Sequence, residues 1–164
     1  MATYIPSPTN REALTRWHAD GCEIYLTNGV FDLFHAGHIN YLLWIARFKR
    51  PKDLLMVGIN SDKATLKLKG PGRPIMDFNE RSEAVMTLPW VDYVTRIEND
   101  ACELIKAIHP DTYIKGEDWR GKPMTEVELV RGLGGRVIYA PFKHGLSTTE
   151  IIARVLAAGN EKDA

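Results

Sequence analysis

Residues 23–48 read EIYLTNGVFDLFHAGHINYLLWIARF, which is an apolar run, a turn of small and polar residues, and a second apolar run. The first run has the alternating and β-branched character of a strand. The second has apolar residues at three- and four-residue steps, which is typical of a helix. The segment therefore predicts a strand that passes through a glycine-containing turn into a helix.

Two histidines, His35 and His38, lie on either side of Gly37 in this turn. Unpaired N–H groups and the positive end of the helix dipole meet at a helix N-terminus, and a glycine there leaves room for a phosphate. The two imidazoles can donate hydrogen bonds to the same anion. The turn is therefore a candidate nucleotide-phosphate site.

The chain has 164 residues, with 21 Lys plus Arg against 21 Asp plus Glu, so its formal charge is zero. This length suits a single domain. A neutral chain has no overall field to attract nucleic acid or an anionic membrane, and neither is expected as a partner. Cys22 and Cys102 have neither metal-ligand spacing nor the density of a disulfide scaffold, and no membrane span or signal peptide is visible. We expect a cytoplasmic protein.

Strand-like and helix-like segments alternate along the rest of the chain, which predicts βαβ units. The predicted fold class is α/β, a single Rossmann-like doubly wound parallel sheet with helices on both faces. The predicted strands are 23–27, 54–59, 92–97, 112–115 and 136–140, and the predicted helices are 39–48, 79–88, 101–108, 126–133 and 148–158. We expect three regions: an N-terminal helical extension over 1–22, the main domain over 23–158 and a frayed end over 159–164.

Ligands of open parallel sheets bind at the carboxyl ends of the strands, where segments 27–38, 60–62, 115–119 and 141–149 are expected to meet. Two groups of residues beyond the two histidines also suit a phosphate. Lys69 and Arg73 belong to a basic cluster that ends in a Gly- and Pro-rich stretch predicted to be a mobile loop. Their charges suit triphosphate or substrate phosphate. Ser147, Thr148 and Thr149 open the last helix with three consecutive hydroxyls. One such hydroxyl is an ordinary helix cap, whereas three in a row suit a phosphate.

The segment from Gly29 to His38 resembles the GxFDxxHxGH signature of the cytidylyltransferase-like nucleotidyltransferases. Residues 68–74, LKGPGRP, resemble the LKGxxRP segment of the ADP-heptose synthase adenylyltransferase domain, and Arg81 matches a motif arginine of that family. Residues 145–149, GLSTT, resemble the family's STT motif. The resemblance runs from Glu23 to Leu156.

The base of the nucleotide is left open by residues 115–122, KGEDWRGK. Their start resembles the KGGDW of heptose-phosphate adenylyltransferases, although Glu117 replaces a glycine. Their end resembles the GDDWEGK of glycerol-phosphate cytidylyltransferases. Phe142 stands where the glycerol-phosphate enzymes have an arginine, which favours the heptose type. ATP and CTP are both candidates, with ATP favoured.

The resemblance also implies residue roles and partners. Its catalytic residues would be His35, His38, Lys69, Arg73, Ser147 and Thr148. Its nucleotide-binding residues would be Thr27, Asn28, Gly29, Val30, Phe31, Gly37, Lys115, Gly116, Asp118 and Thr149. Mg²⁺ would arrive with the triphosphate, without a dedicated protein metal site, and the second substrate would be a sugar or polyol phosphate. The family commonly forms homodimers, so a homodimer is expected.

The implied reaction transfers AMP from ATP to a sugar 1-phosphate such as heptose 1-phosphate and releases pyrophosphate. The nearest alternative is a cytidylyltransferase acting on glycerol phosphate or another small polyol phosphate. A non-catalytic nucleotide-binding module is a different class, and the complete set of phosphate motifs disfavours it. A class I aminoacyl-tRNA synthetase fragment shares the HxGH pattern, but the chain has no KMSKS-like loop and no basic surplus for RNA.

Overall fold

The computed structural model describes residues 2–5, 11–141 and 147–160. The strands are β1 (Thr3–Ile5), β2 (Ile24–Gly29), β3 (Leu54–Asn60), β4 (Tyr93–Ile97), β5 (Thr112–Gly116) and β6 (Arg136–Ala140). The helices are α1 (Arg11–Ala19), α2 (Ala36–Ala46), α3 (Asp62–Lys69), α4 (Phe78–Met86), α5 (Ala101–Ile108), α6 (Thr125–Gly132) and α7 (Thr148–Asn160), with a 3₁₀ turn at Glu117–Trp119.

The six described strands form one parallel sheet in the order β1-β4-β3-β2-β5-β6. From β2 the chain first moves outward through β3 and β4, and then returns to place β5 on the other side of β2. The order therefore reverses between β2 and β5, where a doubly wound sheet opens a crevice for ligands. This arrangement confirms the predicted fold class.

Helices pack on both faces of the sheet because strand side chains alternate between the faces. Leu55, Val57 and Ile59 of β3 pack in a cluster with side chains of α2 and α4. Met56 points the other way, into a cluster that holds side chains of α1, α5 and α6. We call these sides the α2/α4 face and the α5/α6 face.

The N-terminal segment joins the sheet. Thr3–Ile5 pairs in parallel with β4 at the sheet edge, and Leu14 and Trp17 of α1 pack on the α5/α6 face. The expectation of a purely helical extension over 1–22 missed this strand because three residues are too few to display an alternating pattern. At the other end, α7 continues through Gly159 to Asn160, and the remaining residues of the predicted frayed end lie outside the described ones.

Helix α3 is a second element that the sequence analysis did not predict. The Ser61 hydroxyl accepts the N–H of Ala64 and caps the helix, which ends at Gly70 with a φ of 88°. Lys69 is therefore a helical residue, and only the stretch that follows is a turn. No helix among the described residues is long and apolar enough to cross a lipid bilayer.

Candidate active site

The turn between β2 and α2, with the histidines at the start of α2, spans residues 30–38 and is called the HxGH turn. Its backbone is strained, and a histidine caps the helix that follows. Phe31 and Leu33 have positive φ angles of 57° and 45°, an uncommon conformation for residues with side chains that is concentrated at functional sites. His35 is the N-cap of α2, and its Nδ1 accepts the N–H of Gly37 at 3.0 Å. Because Nδ1 accepts, the proton of a neutral His35 is on Nε2, which is left as a donor.

His35 and His38 stack with their ring centroids 3.8 Å apart. His38 also packs against the rings of Phe31 and Phe34. Burial, together with the neighbouring His35, lowers the pKa of His38 to about 3, and burial likewise lowers the pKa of His35. Both imidazoles are therefore neutral near pH 7 and can donate a hydrogen bond to a ligand without carrying a full charge.

The buried His38 makes the stability of the protein fall in acid. The pKa of His38 is about 3 in the folded chain against 6.5 for the free group. Between pH 6.5 and 4.5 the proton is therefore taken up by the unfolded chain and not by the folded one. We expect wild type to lose about 2–3 kcal/mol more unfolding free energy than His38→Ala between pH 6.5 and 4.5, measured by urea unfolding. The control is His109→Asn, a substitution at an exposed position, which should lose as much unfolding free energy over this pH range as wild type. Equal losses in wild type and His38→Ala would contradict the prediction.

Asp32 connects the turn to the basic segment that follows α3. Its buried carboxylate accepts Arg73 Nε at 2.7 Å and the N–H groups of Ile75 and Met76 at 2.9 Å each. Burial alone would raise the pKa of Asp32, but these N–H groups and the guanidinium outweigh it and lower the pKa. Asp32 thereby fixes Arg73 beside the HxGH turn, and among the described residues the two Nη groups of the guanidinium make no hydrogen bond, so they can contact a ligand.

The start of α7 meets the same turn. Thr148 Oγ1 donates to the carbonyl oxygen of Asp32 at 2.8 Å. Ser147 accepts the N–H of Glu150 and donates to its carboxylate, so its hydroxyl already serves as a helix cap. Among the described residues, the hydroxyls of Ser147 and Thr148 thus make hydrogen bonds within the protein, whereas the hydroxyl of Thr149 makes none. Gly145 and Phe142, which the resemblance used, lie outside the described residues.

Arg81 supports the turn from beneath. Its side chain is fully buried and donates to the carbonyl oxygens of Val30 at 2.6 Å and Met76 at 3.0 Å. It also forms an ion pair of 2.6 Å with Asp62 at the start of α3. Arg81 therefore ties the histidine turn, the segment before α4 and the first turn of α3 into one unit.

These elements surround a cavity of about 680 Å³ at the carboxyl edge of the sheet. The structure brings fifteen of the sixteen predicted site residues to its wall. They are Asn28, Gly29, Val30, Phe31, His35, Gly37, His38, Lys69, Arg73, Lys115, Gly116, Asp118, Ser147, Thr148 and Thr149. The predicted phosphate motifs thus meet at this cavity.

Thr27 is the exception, because it is fully buried and does not line the cavity. Its Oγ1 lies 2.7 Å from the Tyr41 hydroxyl and donates to the carbonyl oxygen of Ile114 at 3.0 Å. The expectation that Thr27 contacts the nucleotide does not fit this position. Its role is to join β2, α2 and β5 below the site.

Lys115 is buried beside the end of β2. Its Nζ donates to Asn28 Oδ1 at 3.1 Å, and the Tyr113 hydroxyl donates to the same oxygen at 2.6 Å. Burial lowers the pKa of Lys115, whereas the nearby carboxylates of Glu126 and Asp118 act to raise it. A Cβ on Gly116 would collide with the carboxylate of Asp118, so the close approach of that side chain requires glycine.

Sequence reasoning missed two groups of lining residues. Tyr41, Trp44 and Arg47 lie along α2 at three-residue steps, a spacing that also describes an ordinary packing face. Asn99, Asp100 and Glu126 line the cavity from other elements, and isolated residues of this kind carry no local pattern. Asn60, the last residue of β3, also lines the cavity, at the strand end where the sequence placed it. No group of three or more potential metal ligands is present in the part of the chain that the structure describes.

Comparisons with known proteins identify the family of the chain. The model of a family described as cytidylyltransferase-like matches residues 26–154. The bifunctional protein HldE of Trichlorobacter lovleyi is 43% identical over 152 residues, which are 90% of this chain and 30% of that protein. The bifunctional protein HldE of Caulobacter vibrioides is 41% identical over 140 residues, 85% of this chain and 28% of that protein.

A solved structure, the lipopolysaccharide core biosynthesis protein from Thermoplasma volcanium, is similar with a TM-score of 0.60 and 26% identity. The match covers 74% of this chain and 96% of that one. This chain spans about 30% of the length of the curated relatives that it matches. The match to the family model confirms the resemblance inferred from the HxGH turn. The chain therefore belongs to the cytidylyltransferase-like family, a family of nucleotidyltransferase enzymes.

Proposed function

We propose that the chain transfers AMP from ATP to a sugar 1-phosphate, with heptose 1-phosphate as the favoured acceptor. The observation that carries the proposal is the meeting of the HxGH turn, Lys69 and Arg73, and the hydroxyls of α7 in one cavity. The relatives support the acceptor class, because one is named as a lipopolysaccharide core biosynthesis protein and several are named HldE. The LKGxxRP segment, which is similar to that of ADP-heptose synthase, also supports heptose 1-phosphate as the acceptor.

In the proposed reaction an oxygen of the acceptor phosphate attacks the α-phosphorus of ATP. The bond from that phosphorus to the oxygen bridging to the β-phosphate breaks, and the electron pair leaves with pyrophosphate. The attacking phosphate is already ionised, so no general base is required. Catalysis then consists of alignment and of stabilising the charge on the phosphates.

The side chains of the cavity divide these tasks. His35 and His38, which are neutral donors, would stabilise charge that develops on the α- and β-phosphates. Lys69 and Arg73 would neutralise phosphate oxygens, with Arg73 held in place by Asp32. Thr149 and the N–H groups at the start of α7 would hold the outer phosphates. The aromatic rings of Tyr41 and Trp44 give the nucleoside an apolar wall along α2.

Two further expectations belong to this proposal. Mg²⁺ would enter with ATP and be held by phosphate oxygens and water, since Mg²⁺ usually keeps several waters. A homodimer would form, a common state for closed assemblies. Light scattering at micromolar concentration tests the dimer, and a monomer mass would remove it from the proposal.

A pyrophosphate-release assay tests the proposed reaction. The four nucleoside triphosphates are each combined with heptose 1-phosphate, glucose 1-phosphate and glycerol 3-phosphate. We expect turnover with ATP and heptose 1-phosphate to be the fastest. Turnover at least about tenfold faster with CTP and glycerol 3-phosphate would select the alternative reaction. A tenfold difference in rate corresponds to about 1.4 kcal/mol in activation free energy. No turnover with any pair would refute nucleotidyl transfer to these acceptors.

Asp32 should act on the reaction through Arg73. Asp32→Asn keeps the shape of the side chain but removes the charge that pairs with Arg73 Nε. We expect kcat to fall about tenfold or more with a smaller change in the KM for ATP, because charge-assisted hydrogen bonds are about twice as strong as neutral ones. In an Arg73→Ala background the same substitution should have little further effect. Independent, additive effects of the two substitutions would contradict this positioning role.

A further inference from the structure

A second group of polar side chains lines the cavity away from the phosphate motifs. It contains three carboxamides, two carboxylates and one buried ammonium. We call it the polar pocket, and its members are Asn28, Asn60, Asn99, Asp100, Lys115 and Glu126. None of them belongs to the HxGH turn, to the basic segment 69–73 or to the start of α7.

The polar pocket lies on the α5/α6 face. Strand residues two apart point to the same face, and Asn28 and Lys115 follow Leu26 and Tyr113, which both pack in the α5/α6 cluster. Asp100 caps α5, and Glu126 is in the first turn of α6. His35 and His38, in contrast, begin α2 on the opposite face. The cavity thus has two sides, and the phosphate motifs occupy one of them.

Hydrogen bonds orient the centre of the polar pocket. Lys115 can only donate, so the atom of Asn28 that it contacts is the carbonyl oxygen. The amide nitrogen of Asn28 therefore faces away from Lys115 with two N–H donors. Lys115 itself is only 8% exposed and uses one N–H on Asn28, while no carboxylate lies within 4.0 Å among the described residues. A buried ammonium with spare donors is suited to an oxygen of a ligand.

The charges of the polar pocket select the kind of ligand. Asp100 and Glu126 would repel a phosphate, which the basic residues on the other side attract. Carboxamides and carboxylates together supply both donors and acceptors, and a hydroxyl group is the ligand group that needs both. Asp100 Oδ1 accepts the N–H of Cys102 at 2.9 Å, and Oδ2 is the oxygen that would accept a ligand hydroxyl. A chain of hydroxyl-bearing carbons fits this set.

We propose that the polar pocket binds the hydroxylated carbon chain of the acceptor phosphate and sets the acceptor specificity. The inference rests on the proposed nucleotidyl transfer and assigns Asn28 and Lys115 to the acceptor rather than to the nucleotide. The acceptor phosphate then lies at the border of the two sides, next to the α-phosphate of ATP. A polyol with several hydroxyls engages more of the pocket than glycerol 3-phosphate does.

The test compares two carboxylates on one helix. Glu126 and Glu128 both lie in the first turn of α6, but Glu126 lines the cavity and Glu128 is exposed. For Glu126→Ala we expect the KM for heptose 1-phosphate to rise about tenfold or more, the loss typical of a hydrogen bond to a charged group. The KM for ATP should change by less than about twofold. Asn99→Ala should shift the same constant in the same direction, and Glu128→Ala should leave both constants unchanged.

The remaining outcomes each overturn the proposal. A higher KM for ATP with an unchanged KM for heptose 1-phosphate would assign the polar pocket to the ribose. No change in either constant would remove it from substrate binding.

A binding measurement separates this inference from the proposed reaction. Calorimetry with heptose 1-phosphate and α,β-methylene ATP needs no turnover. If wild type binds the sugar phosphate and Glu126→Ala does not, the pocket assignment holds even when turnover is absent and the proposed reaction has failed. If wild type binds no heptose 1-phosphate, the pocket assignment fails.

Discussion

Replacing either His35 or His38 with Ala is expected to lower kcat about 10²–10³-fold, or roughly 3–4 kcal/mol, while the KM for ATP changes much less. Both imidazoles are neutral, and His35 is fixed by its bond to the N–H of Gly37. Preorganised donors of this kind stabilise charge that appears on the bridging oxygen and the leaving pyrophosphate mainly in the transition state. Their removal therefore reduces the rate more than the binding of the ground state.

The pH dependence of kcat gives a second expected result for these histidines. Because the pKa of His38 is about 3, its protonation should contribute no acid limb to the profile between pH 5 and 8. Steady-state kinetics are compared with urea unfolding of the same samples, and the exposed His109→Asn is the control. A His38→Ala protein that unfolds like wild type and keeps near-wild-type kcat would refute the catalytic role of the HxGH turn.

The largest expected loss of stability is at Arg81. Arg81→Met should reduce the free energy of unfolding by about 2–5 kcal/mol, because each of two carbonyl acceptors left without its donor costs about 1–3 kcal/mol, while the half-exposed Asp62 adds little. The substitution leaves the carbonyl oxygens of Val30 and Met76 without their donor and Asp62 without its cation. Arg81→Lys should recover only part of the loss, because one ammonium cannot reproduce the fork of a guanidinium.

The exposed Arg131 on α6 is the matched control for this measurement. Arg131→Met should change the free energy of unfolding by less than about 0.5 kcal/mol, as is usual for surface positions. Urea unfolding at pH 7 measures all three variants. A loss below about 1 kcal/mol for Arg81→Met would show that the three segments hold together without this guanidinium.

The central part of the fold was predictable because its signals are local. The strand–turn–helix at β2 and α2, the order of strands and helices, and the parallel sheet all follow from hydrophobic periods and glycine positions. The helix over Ala101–Ile108 and the strand over Arg136–Ala140 match their predicted bounds. β1 was missed because three residues carry no period, and its place depends on pairing with β4, far along the chain.

The residues of the site also divide into those that the sequence predicted and those that it did not. The residues predicted to bind phosphate cluster within short motifs, and fifteen of the sixteen predicted site residues reach the cavity wall. Thr27 lies outside that wall, because the sequence motif does not reveal which face of β2 is covered by Tyr41 of α2. Glu126 and Asn99 were not predicted because they stand alone in sequence. The return of the chain to β5 brings Glu126, in the helix that follows β5, to the cavity, whereas Asn99 reaches it from the end of β4.

The alternation of side chains along β2 and β5 has a consequence for how such a protein can diverge. Lys115 and Asn28 face one side of the sheet, while their neighbours Ile114 and Thr27 support the helix that presents the histidines. Replacing residues at the starts of α5 and α6 therefore alters one wall of the cavity and leaves the core beneath the HxGH turn intact. If the polar pocket binds the acceptor as proposed, such substitutions would alter the choice of acceptor without altering the contacts that hold the HxGH turn.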